Sequence, residues 1–67
     1  MIEIKLNGEI RRLQKPLTVA ALLGELELQH DSVAVELNET IVPRSRHDQQ
    51  QVCEGDRIEI VRAIGGG

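Results

Sequence analysis

The chain has 67 residues, enough for one domain that buries only about 60% of the surface its unfolded form exposes. A substrate cleft of roughly 300 Å³ or more would consume most of such a core, so the length weighs against independent catalysis and for a carrier or binding role. Eight basic and eleven acidic residues give a formal charge of −3, the basic residues are scattered, and no aromatic side chain offers a stacking platform, which excludes nucleic acid as the expected partner.

Ile2, Ile4 and Leu6 alternate with Glu3, Lys5 and Asn7, the period-2 pattern of a strand with one buried face. Asn7-Gly8 tolerates positive φ at both turn centres and predicts a hairpin, with Glu9 to Leu13 as the returning strand, closed by Pro16. Thr18 is placed to cap a helix, and Val19, Leu22, Leu23 and Leu26 share one helical face. Gly24 lies within that helix, where it costs up to about 1 kcal/mol relative to Ala. It points to close packing on a strand or to an early helix end.

Val33, Val35 and Leu37 form the next alternating strand, which runs into a turn at Asn38-Glu39. Thr40-Ile41-Val42 is a short β-branched run stopped by Pro43, which cannot donate to a ladder and belongs at an edge or a strand end. Arg44 to Gln51 is polar and aperiodic, a surface connection with one helical turn. Glu54-Gly55-Asp56 is a turn, and the last strand begins at Arg57 and continues to Ile64, with Ile58 and Ile60 on its buried side. The expected fold class is α+β, a mixed sheet with one main helix covering it.

Directly after that strand come Gly65, Gly66 and Gly67. Ordering glycine costs more entropy than ordering any other residue, so these three do nothing for the stability of the fold. Their expected use is access: a stalk without side chains can thread a narrow channel, and no Cβ obstructs a carboxylate being brought in line with the α-phosphate of ATP; the alternative is an ordinary frayed chain end.

The remaining reactive side chains have weaker claims. Cys53 is the single cysteine, so no internal disulfide forms, and with no neighbouring cationic cluster and an acidic neighbour in Glu54 it reads as a half-buried packing residue. His30 and His47 sit in polar connections and read as solvated, with no metal-site spacing around them. The start of the chain has no signal-peptide pattern and no stretch is long and apolar enough to span a membrane, so the cytoplasm is the expected compartment.

Three groups of residues together carry a resemblance over essentially the whole chain: Val35-Glu36-Leu37-Asn38-Glu39-Thr40-Ile41-Val42-Pro43-Arg44, Glu54-Gly55-Asp56-Arg57-Ile58, and the closing Gly66-Gly67. The sequence resembles the ThiS-type sulfur carriers of bacterial thiazole and thiamin biosynthesis, departing from them in having no aromatic residue near His47 or before the tail. That resemblance implies the β-grasp fold of ubiquitin, with residues 1–64 as the domain and 65–67 as a flexible tail. It implies that Gly67 is adenylated by a ubiquitin-activating-type adenylyltransferase and converted, with sulfur from a donor such as a cysteine desulfurase, to a C-terminal 1-thioglycine thiocarboxylate. Thiazole synthase would be the acceptor. No bound cofactor or metal is implied, and the chain would be a protein co-substrate rather than an enzyme. The same tail also fits a molybdopterin-type sulfur carrier, or a noncatalytic β-grasp binding module. Strand parity puts Val61 and Ala63 opposite Ile58 and Ile60, with Ile64 at the tail root, and these three with Ile41 are the expected partner-docking residues.

Overall fold

The computed structural model describes residues 1–62 of the chain. Strands β1 (Ile2–Leu6) and β2 (Glu9–Leu13) form the first hairpin; β3 (Leu17–Thr18) leads into helix α1 (Val19–Glu25). Strands β4 (Val33–Leu37) and β5 (Thr40–Val42) form the second hairpin. A 3₁₀ turn at Arg44–Arg46, β6 (Gln51–Val52) and β7 (Arg57–Arg62) complete the order. The main sheet has five strands in the order β2-β1-β7-β4-β5, and β3 pairs with β6 in a small second sheet. β1 and β7 run parallel in the middle, and every other neighbouring pair is antiparallel.

Both hairpins turn on residues that accept left-handed backbone. Asn7 and Gly8 have φ of 51° and 84°, and Asn38 and Glu39 have φ of 51° and 69°, so both loops are two-residue turns with positive φ at each centre, matching the right-handed twist of the flanking strands. The expected strand limits in these hairpins agree with the observed ones.

Helix α1 is seven residues long, too short to persist in water alone, and it is held by burying Val19, Leu22 and Leu23. The Thr18 hydroxyl accepts from the Ala21 N–H at 3.1 Å, as the sequence predicts. At the other end Leu28 N–H donates to the Leu23 carbonyl and Glu27 N–H to the Gly24 carbonyl, with Glu27 at φ 60°. This is a Schellman termination with a glutamate where glycine is usual. Gly24 corrects one expectation: a Cβ there would meet nothing within 4 Å, so close packing is not its role, and the early helix end is the feature that remains.

The core lies between the sheet and α1. Ile2 and Ile4 of β1, Leu13, Val35, Val42, Ile58 and Ile60 meet Val19, Leu22 and Leu23 of the helix and Val52 of β6. Each such side chain contributes about 1.5–3 kcal/mol by leaving water. Among the described residues nothing packs on the opposite face of the sheet, which carries the alternate residues of each strand.

The Arg44–Gln51 segment differs from a plain surface connection. His47 is 8% exposed, which corrects the expectation of a solvated ring. Its Nε2 lies 3.1 Å from the Val42 carbonyl, and because a carbonyl only accepts, Nε2 carries the proton. The segment also satisfies the helix: Val19 N–H donates to the Gln50 carbonyl and Ala20 N–H to the His47 carbonyl, taking two of the donors that a helix start leaves free.

Candidate functional site

β7 is the central strand of the sheet and the element that delivers the chain to its C-terminal residues. Ile58 and Ile60 anchor it in the core, while Arg57, Glu59 and Val61 face outward. Two asparagines reach it from the two hairpin turns. Asn7 Oδ1 accepts from the Ile60 N–H at 2.8 Å and Asn7 Nδ2 donates to the Ile60 carbonyl at 3.3 Å. Asn38 Oδ1 accepts from the Arg57 N–H at 2.9 Å, and its Nδ2 donates to Asp56 Oδ1 at 3.0 Å. At the end of the strand the Arg62 guanidinium pairs with Asp31, its Nε 3.1 Å from Oδ2. β7 is therefore fixed at its start, middle and end by groups from three different connections.

The predicted site residues divide between the described and the remaining positions. Val61 and Ile41 are 65% and 70% exposed, on the open face of the sheet. Ala63, Ile64, Gly65, Gly66 and Gly67 lie outside the described residues. So does the expected continuation of the last strand beyond Arg62, and with it the expected boundary between the domain and the tail. His30 is exposed, as expected from the sequence. Cys53 is exposed, which corrects its reading as a packing residue: its turn, Cys53 to Asp56, is held by the Cys53 N–H donating to Asp56 Oδ2 at 2.8 Å, leaving the thiol outside the core. Among the described residues no group of three His, Cys, Asp or Glu side chains is placed to hold a metal ion, and no helix is long and apolar enough to cross a membrane.

Sequence reasoning missed the two asparagine clamps. Asn-Gly and Asn-Glu were legible as turns, but the partners of the side chains are 53 and 19 residues away, and no local pattern encodes them. It also missed Ile10, 62% exposed on β2, whose alternation with charged neighbours looks the same as that of a buried strand residue.

A five-stranded mixed sheet with a parallel central pair and one helix across one face defines a ubiquitin-like β-grasp domain. The crystal structure of the thiamine biosynthesis protein ThiS from Geobacter metallireducens superposes with a TM-score of 0.86 at 32% identity, over 98% of this chain and 100% of that one. The sequence profile of the ThiS family matches residues 4–67. The chain belongs to the ThiS family, a group of ubiquitin-like sulfur carriers. It is 35% identical to the sulfur carrier protein ThiS of Bacillus subtilis, over 96% of this chain and 98% of that protein. It is also 48% identical to a thiazole synthase of Paramagnetospirillum magneticum over 98% of this chain, which spans 20% of that protein's length.

Proposed function

We propose that this chain carries sulfur for thiazole formation in thiamin biosynthesis on the carboxyl group of Gly67. The observation that carries the reading is that the family match runs through the glycines to residue 67, so the whole segment from the central strand to the reactive end is part of the shared pattern. A carboxylate is a poor electrophile because neither oxygen leaves readily. In the proposed cycle the Gly67 carboxylate attacks the α-phosphate of ATP, pyrophosphate departs, and the acyl-adenylate gains AMP as its leaving group. Sulfide-equivalent sulfur then attacks the carbonyl carbon and expels AMP, leaving the thiocarboxylate.

The carrier's part is position. A centrally anchored β7 presents the tail from a fixed base, while Gly65 and Gly66 place no side chain in the way of either active site. The adenylyltransferase and the sulfur donor supply the chemistry, in the cytoplasm, and thiazole synthase takes up the sulfur. The likeness to one fifth of a thiazole synthase supports that acceptor over a molybdopterin enzyme.

Incubation of the chain with ATP, the adenylyltransferase and a sulfide source, followed by intact-mass measurement, is the test. One oxygen exchanged for sulfur at Gly67 is the expected product, and removal of Gly67 abolishes it. A chain that stays unmodified under conditions that load another ThiS carrier overturns the reading.

A further inference from the structure

The two margins of the main sheet are unequal. β5 has three residues and is followed by Pro43, which has no N–H to donate, so that margin is short and closed. β2 has five residues and no proline, and among the described residues no strand lies beyond it. Its free backbone groups follow from the bonds of β1. The Lys5 N–H donates to the Asp56 carbonyl and the Glu3 carbonyl accepts from the Gly55 N–H, so Glu3 and Lys5 turn their backbone groups away from β2. Ile2, Ile4 and Leu6 therefore bond β2, through Leu13, Arg11 and Glu9. The partners of Glu3 and Lys5, which are Arg12 and Ile10, turn their N–H and C=O groups outward along an exposed strand.

The occupant whose charges fit this edge is a second copy of it. In a symmetric antiparallel pair the register is centred on one residue, which meets itself across the two-fold axis. Within the exposed stretch from Glu9 to Arg12, centring on Glu9, Arg11 or Arg12 sets that charge against its own copy, which destabilises the pair. Centring on Ile10 sets Ile10 against Ile10, and sets Glu9 of each copy against Arg11 of the other. The Ile10 pair exchanges two backbone bonds, because its groups point outward. Glu9 and Arg11 then form the closer type of cross-strand pair, with Cα atoms about 4.5 Å apart. Among the described residues neither Glu9 nor Arg11 forms an ion pair within the chain, whereas Arg12 is engaged by Glu3 at 3.4 Å. Charges that commonly guard an edge against pairing here admit one register with one partner.

We propose that β2 pairs with β2 of a second copy of this chain, Ile10 against Ile10 and Glu9 against Arg11 on both sides, joining the two main sheets into one. The exposed Ile10 side chains then cover each other. The edge of one short strand buries less than the roughly 1,000 Å² of a stable interface, so the dimer is weak and forms as concentration rises. β7 lies inside the sheet of each copy and takes no part in the contact, so the inference stands apart from the sulfur-carrier reading.

Sedimentation equilibrium over a concentration series up to about 1 mM is the test. The unaltered chain is expected to move from monomer toward dimer, and less so in high salt. Glu9→Arg and Arg11→Glu each make the facing charges alike and are expected to weaken self-association by about tenfold or more. Mixed in equal amounts, these two variants face each other with opposite charges and are expected to associate as the unaltered chain does with itself. The double exchange Glu9→Arg/Arg11→Glu restores opposite charges in the same register and is expected to recover the dimer. Ile10→Pro removes an N–H that points away from β1, so the hairpin is expected to persist while the dimer is lost. A chain that stays monomeric throughout the series overturns the proposal. So does a dimer that the single exchanges leave intact, or one that neither the mixture nor the double exchange restores.

Discussion

The side chain of Asn7 hydrogen-bonds both backbone groups of Ile60, 53 residues away, with the Ile60 N–H donating to Oδ1 at 2.8 Å. The last backbone bond from this side runs from the Asn7 N–H to the Ile58 carbonyl at 2.9 Å, and the carboxamide supplies the next bonds, those that a continuing strand would make. Asn7 also sits at φ 51°, where asparagine is tolerated and alanine is strained. Asn7→Ala loses both contributions and is expected to cost roughly 1–3 kcal/mol of stability in chemical denaturation. Amide exchange at Ile60 is expected to accelerate more than that at Ile58, and equal acceleration would deny the clamp.

Gly24→Ala is expected to stabilise the domain. The added methyl meets nothing within 4 Å, and glycine in a helix interior costs about 0.5–1 kcal/mol relative to alanine. A melting temperature higher by several degrees is the expected result. A decrease would mean that the helix needs freedom at this position.

Glu27 and Glu39 hold φ of 60° and 69° without being glycine. Glu27→Gly and Glu39→Gly should each relieve about 1 kcal/mol of backbone strain, offset in part by the greater freedom of the unfolded chain. Glu39→Gly also loses the ion pair with Arg57, which is exposed on both sides and so contributes little. The net gain is expected to be larger at Glu27, measured as the shift in denaturation midpoint.

His47→Ala removes the donor from the Val42 carbonyl and opens a space beside a buried strand end. A loss of about 1–3 kcal/mol is expected, and recovery of part of it by His47→Gln would show that the hydrogen bond matters as well as the volume. Sulfur loading of the folded variant should persist, since the ring is not on the open sheet face.

Val61→Asp and Ile41→Asp change side chains that are already largely in water, so each is expected to fold, at a cost of about 1 kcal/mol from lost strand propensity and, for Ile41→Asp, from the carboxylate of its cross-strand partner Glu36. Affinity for the adenylyltransferase should nevertheless fall. Cys53→Ser, at an exposed position away from both residues, should leave stability and loading unchanged. A variant at Cys53 that cannot be loaded would give the thiol a part in sulfur transfer.

The elements fixed by local rules were legible. Alternation located β1, β4 and β7, the Asn7-Gly8 turn placed β2 as the returning strand, the Asn38-Glu39 turn set the second hairpin, and Thr18 marked the helix start. What escaped was set by distant contacts. The two-residue strands Leu17–Thr18 and Gln51–Val52 exist because they pair with each other, and neither is long enough to show a period. His47 stands in a polar stretch, but the fold turns its ring onto Val42. On the open face, Val61 and Ile41 were found by parity, whereas the outward aim of the Ile10 and Arg12 backbone groups appeared only once the bonds of β1 were known.

The strand that leads to the tail has a partner on each side, parallel β1 and antiparallel β4. Tension applied at its exit therefore loads both ladders in shear, where many bonds must fail together, instead of unzipping them singly from a border. In the proposed cycle, a partner that pulled on Gly67 would strain the sheet along its strands and leave the domain folded.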